Sequence, residues 1–119
     1  MNWYLGKLVF QIVCGDGNHT AQFDEQLRLI SAHDKQEAFV KAREIGQAAE
    51  EVIVNVKQQL VKWTFIDVAE LYRINGWIHG AELYSRINES DDADNYIAFT
   101  HQKAADIESG FMHEMLKLL

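Results

Sequence analysis

The chain has 119 residues, 48% of them apolar, and its 11 Lys and Arg stand against 18 Asp and Glu, a formal net charge of −7. That length suits one soluble globular domain, residues 1–119, and an acidic surplus with no basic patch sets nucleic acid aside as a partner, because phosphate recognition needs clustered cations. The longest apolar stretches, residues 8–14 and 52–56, are broken by Gln11 and Asn55 and fall far short of the ~20 residues that cross a bilayer, so no membrane partner is expected.

A secretory signal needs an unbroken apolar core, whereas residues 3–14 carry Lys7 and Gln11 within an alternating pattern; the chain is expected in the cytoplasm. Its single cysteine, Cys14, has no partner for an internal disulfide and reads as a small packed hydrophobe.

From Asn2 to Cys14, Tyr4, Leu8, Phe10, Ile12 and Cys14 share one parity while Trp3, Lys7 and Gln11 take the other. This alternation predicts a strand. Gly15-Asp16-Gly17-Asn18 predicts a tight turn, since Gly, Asp and Asn reach the positive φ angles a hairpin needs. Phe23, Leu27 and Leu29 alternate with Asp24, Gln26 and Arg28, giving a second strand that returns antiparallel.

Asp34 with Glu37 three residues on is an N-cap with a capping box, and Ala38, Ala42, Ile45 and Ala49 recur at helical spacing, so a helix is predicted over about 35–49. Val52, Val54 and Val56 suggest a short edge strand, with Gln58 and Gln59 as a turn. Val61, Trp63 and Phe65 begin a central strand whose apolar character is carried on by Ile66 and Val68 until Leu71, which requires a change of phase or a bulge. Asn75-Gly76 and Gly80 signal turns, and Ala81 to Ile87 reads as a last strand. Ser90 with Asp91, Asp92 and Asp94 opens a second helix, whose predicted inner face holds Ile97, Ala104, Ile107, Phe111, Met115 and Leu118. The order β-β-α-β-β-β-α predicts an α+β fold, an antiparallel sheet of four to five strands with two helices.

Trp3-Tyr4-x-x-Lys7-Leu8, Phe23-x-Glu25, the Ala-rich helix ending near Gly46, Trp63-x-Phe65 with Leu71, and Gly80-x-Glu82-Leu83-Tyr84-Ser85-Arg86 resemble a small bacterial family, the domain of unknown function numbered four-two-eight-eight. The resemblance covers about residues 2–88. It implies the hairpin, helix and sheet order and implies no reaction.

No metal or other cofactor is expected. His19, His33, His79, His101 and His113 are scattered, and Asp94, His101 and Glu108 recur every seven residues, about 10.5 Å apart along a helix, too far for one ion. Asp16-x-Asn18-x-Thr20 imitates a calcium loop, but its twelfth position is Leu27, where a bidentate Glu is required. The glycines at 15 and 17 precede a strand and so aim no helix at a phosphate, and Ser85 lacks a nucleophile elbow. The polar set that stands out is Lys7, Glu25, Glu82 and Arg86, charged side chains within predicted strands. They read either as a ligand-binding cluster or as cross-strand ion pairs worth ~0.2–1 kcal/mol each. Trp3, Trp63 and Trp77 read as pocket lining or as core and interface mass.

Two functional classes stay open. One is a module acting by self-association or by binding another protein, and the other is a small enzyme or ligand-binding domain using Lys7, Glu25, Glu82 and Arg86. A homodimer is expected, because Tyr4, Leu8, Phe10 and Ile12 claim one face of the first strand while Trp3, Leu5, Val9 and Val13 make the other apolar as well, and in the central strand Val61, Trp63 and Phe65 are opposed by Ile66 and Val68. A shift of phase at Gly6 or a bulge is the competing explanation.

Overall fold

The computed structural model describes residues 1–76 and 79–118; Trp77, one of the three tryptophans weighed for a pocket, lies outside them. The chain divides into two compact units, Met1–Ser85 and Arg86–Leu119. The first holds β1 (Asn2–Cys14), β2 (Gln22–Ala32), α1 (Lys35–Ala48), β3 (Glu51–Val54) and β4 (Leu60–Ile74), and the second holds α2 (Ala93–Lys117). The four strands form one antiparallel sheet in the order β2-β1-β4-β3, the α+β architecture expected.

The turn after β1 places Gly15 and Gly17 at φ 61° and 80°, and β2 pairs with β1 without interruption from Asn2↔Ala32 to Ile12↔Gln22. Against β4 the register slips twice, between Lys7 and Leu8 and between Val9 and Phe10. Ala69 and Ile66 are the residues left without partners in that ladder, so these are one-residue bulges. They move the inward parity of β4 from Val61, Trp63 and Phe65 to Val68 and then to Leu71. The phase change read in the central strand is therefore present, and β1 itself keeps its frame: both of its faces are apolar.

Asp34 caps α1, its Oδ1 accepting the Glu37 N–H at 2.8 Å, and the Glu37 carboxylate accepts the His33 N–H at 3.0 Å. The buried stripe Ala38, Ala42, Gly46 has almost no side-chain bulk, and the helix lies directly on Tyr4, Leu8, Phe10, Ile30 and Ala32. Ile45, Ala49, Trp63, Phe65, Val68 and Leu71 pack around them. Phe10 and Phe65 meet with ring centroids 5.5 Å apart. A 14-residue helix is about 21 Å long, while the 13 residues of β1 span about 40 Å; α1 covers half of this face.

Two expectations are corrected, for residues 81–87 and for the second helix, and the faces of β2, open in the sequence, are assigned. Residues 81–88 form no strand; Gly80 turns at φ 81°, and the segment beyond it meets the sheet through side chains, with the Tyr84 ring edge-on to Tyr72 at 5.3 Å. Phe23, Leu27 and Leu29 face away from α1, because Asp24, Gln26 and Arg28 share register parity with Phe10, Leu8 and Gly6; they are 56%, 55% and 47% exposed. In α2 the cap is Asp92, whose Oδ1 accepts the Asn95 N–H at 3.0 Å, and none of its residues is buried, so the predicted inner face is open.

Candidate functional site

The sheet face opposite α1, here the back face, carries the charged cluster. Lys7 and Glu70 are directly opposite on β1 and β4, Nζ to Oε2 at 3.2 Å, with side chains 19% and 22% exposed. Glu70 Oε2 has no further hydrogen bond among the described residues, so the ammonium is what compensates its charge. The Lys7 pKa is held above its ordinary value, first by its hydrogen bond to Glu70, with burial opposing and the charges of Glu70, Glu25 and Tyr84 adding to the rise. Glu25 stands on β2 opposite Val9, on the same face. Of the four residues singled out in the sequence, Lys7 and Glu25 therefore come together. Glu82 is exposed on the segment after β4, and Arg86 begins the second unit; neither lies in a strand. Glu70 escaped sequence reading because the two bulges of β4 hide its parity.

The two edges of the sheet differ. β3 pairs only with Leu60–Trp63 of β4, so β4 continues beyond it, and there Arg43 of α1 and Glu50 just after the helix supply cover. Glu50 Oε2 accepts the Phe65 N–H at 2.9 Å, and Arg43 grips Asp67 through Nε and Nη2 at 3.0 and 3.1 Å while lying 4.3 Å over the Phe39 ring. That pair holds the Asp67 carboxyl below its ordinary pKa, chiefly through the Arg43 hydrogen bond and then through the Val68 N–H.

The other edge is β2, 11 residues long. On its α1-facing side Gln26 Nε2 donates to Asp24 Oδ2 at 2.7 Å, and Arg28 Nε and Nη2 donate to Gln26 Oε1 at 3.0 and 2.7 Å. Trp63 Nε1 also donates to Asp24 Oδ2, at 3.3 Å. Along the main chain, the Ser31 carbonyl is taken by Lys41 Nζ at 2.8 Å. Sequence alternation displays this triad, yet nothing in a single strand tells which of its faces a helix will cover.

The remaining candidates are structural. The His19 Nε2 accepts the Cys14 N–H at 3.0 Å, which leaves Nδ1 to donate to the Thr20 carbonyl at 2.8 Å, so this ring braces the hairpin turn. Cys14 is half-buried, and its Sγ lies 3.4 Å from both Gln59 Oε1 and Asn55 Nδ2; it ties β1 to the β3–β4 turn through polar contacts, where packing alone was expected. Among the described residues no three His, Cys, Asp or Glu side chains gather as metal ligands, and no helix is long and apolar enough to cross a membrane.

A protein-family model, Domain of unknown function (DUF4288), matches residues 3–85, which include the whole sheet and α1. The chain belongs to this family. No curated protein and no solved structure matches it.

Proposed function

We propose that the domain is a cytoplasmic protein-binding module that works by association, not catalysis, and whose first partner is a second copy of itself. What carries the reading is the back face of the edge strand β2, where Phe23, Leu27 and Leu29 are each about half exposed on one side of the sheet, with Glu25 between the first two and Trp3, 41% exposed, beside Ser31. Contiguous apolar surface on an ordered sheet marks an interface more often than a solvated wall, and self-association most often closes as a two-fold dimer. Light scattering coupled to size exclusion at micromolar concentration tests it: about twice the single-chain 13.7 kDa is expected, and a single-chain mass overturns the reading.

The ligand-binding alternative has the convergence of Lys7, Glu70 and Glu25 in its favour. It has less support, because Glu70 already meets the Lys7 charge at 3.2 Å, and Glu82 and Arg86 join the set only as a proposal.

A further inference from the structure

We infer that two copies of the chain join β2 to β2, antiparallel, about a two-fold axis at Gln26, so that the two sheets become one sheet of eight strands. This rests on the homodimer reading and names the surface that closes it. The choice of edge comes from the asymmetry of the sheet. Edge strands are commonly guarded by bulges, prolines, inward charges or covering side chains. At the far edge β3 is only four residues long, and the open part of β4 beyond it has two bulges, the Glu50 carboxylate on its Phe65 N–H and the Arg43–Asp67 clasp. By contrast, β2 contains no Pro, Gly or Lys and has an unbroken register; its guards among the described residues are Lys41 on the Ser31 carbonyl at its end and the inward charges Asp24 and Arg28, which a second copy would pair with one another.

The register comes from the charges. Within one chain Asp24 and Arg28 are four residues apart, about 13 Å along the strand, and both meet Gln26 between them instead of each other, Asp24 accepting from Trp63 Nε1 as well. An axis at Gln26 sets Asp24 opposite the partner's Arg28, and Arg28 opposite the partner's Asp24, with Cβ atoms ~5 Å apart. The two-fold forms that ion pair twice. On the back face it sets Phe23 opposite the partner's Leu29, so that two of the three exposed apolar residues of each copy meet apolar partners, while Leu27 stands opposite the partner's Glu25. Neighbouring registers are worse. An axis at Leu27 sets Asp24 opposite the partner's Ile30 and runs Phe23 into the segment whose carbonyl Lys41 holds; an axis at Glu25 sets that carboxylate against itself, a like-charge pair that destabilises a ladder.

The test uses the full chain in a Cys14→Ala background. Gln26→Cys, on the axis, faces its own copy and is expected to form a covalent dimer on mild oxidation. Gln22→Cys stands eight residues from its copy, about 27 Å, and is expected to form none. Independently, Asp24→Arg and Arg28→Asp are each expected to raise the dimer dissociation constant at least ~10-fold, and the double exchange Asp24→Arg/Arg28→Asp to recover most of the loss. A parent chain of dimeric mass in which Gln26→Cys fails to cross-link, or in which Gln22→Cys cross-links equally, overturns the β2 register and leaves self-association through another surface. A monomeric parent chain overturns both.

Discussion

At Gly46 the backbone of α1 rests against the Phe65 ring so closely that a methyl group built there would stand inside the ring's van der Waals envelope. Replacing a mid-helix glycine with alanine ordinarily stabilises by ~1 kcal/mol, whereas overpacking a close contact costs ~1–3 kcal/mol. Because Phe65 is itself held against Phe10, the clash should win, and we expect Gly46→Ala to lose about 1 kcal/mol or more in chemical denaturation. Equal or greater stability would show that the ring yields. On the back face the expected sign depends on which partner goes. Lys7→Met leaves the Glu70 carboxylate without its cation, so the melting temperature should fall; Lys7→Met/Glu70→Met removes both charges and should recover most of the drop, because an apolar pair of similar volume commonly replaces an ion pair at little cost. A single mutant that melts like the parent would remove the structural role assigned to the pair.

α1 was the most legible element, since its cap, first-turn acid and apolar spacing are all local and agree with one another. Its cap also sets a pH dependence. The Glu37 carboxyl is held below its ordinary pKa, first by the His33 N–H and then by Lys41, and Asp67 is lowered by Arg43. Both folded values lie below the unfolded ones, so the stabilisation is complete above the ordinary carboxylate range of about pH 4 and is lost as pH falls through the depressed values. Melting temperatures from pH 6 to pH 2 should therefore decline most steeply below about pH 4, and Glu37→Gln should flatten that decline; an unchanged slope would deny the cap its part. Elements that depend on distant neighbours were less legible. The hydrophobic alternation of 81–87 is real, yet no strand forms there. The faces of β2 were open in the sequence because Phe23, Leu27 and Leu29 look like a core row, and only the register with β1 shows that Ile30 and Ala32 fill that role. Glu70 was hidden for the same kind of reason, since a bulge is a property of two strands.

At the scale of the whole molecule, the sheet order joins neighbours in sequence on one side of β1 and strangers on the other. β2 comes directly after β1 and a short turn, whereas β4 arrives only after α1 and β3. Non-local pairing slows folding, because loop closure is complete before the contact rewards it. Refolding monitored by tryptophan fluorescence should accordingly take milliseconds to seconds, and a microsecond relaxation would contradict the long-range β1–β4 contact as the slow step. During synthesis the consequence is a matter of timing. The β1–β2 hairpin is finished when Ala32 has emerged, but the strand that shields its inner flank ends at Ile74, several seconds later at roughly 5–20 residues per second. For that interval the ladder destined for the centre of the sheet is itself a boundary, and the nascent chain exposes a margin of β1 that the finished domain pairs with β4.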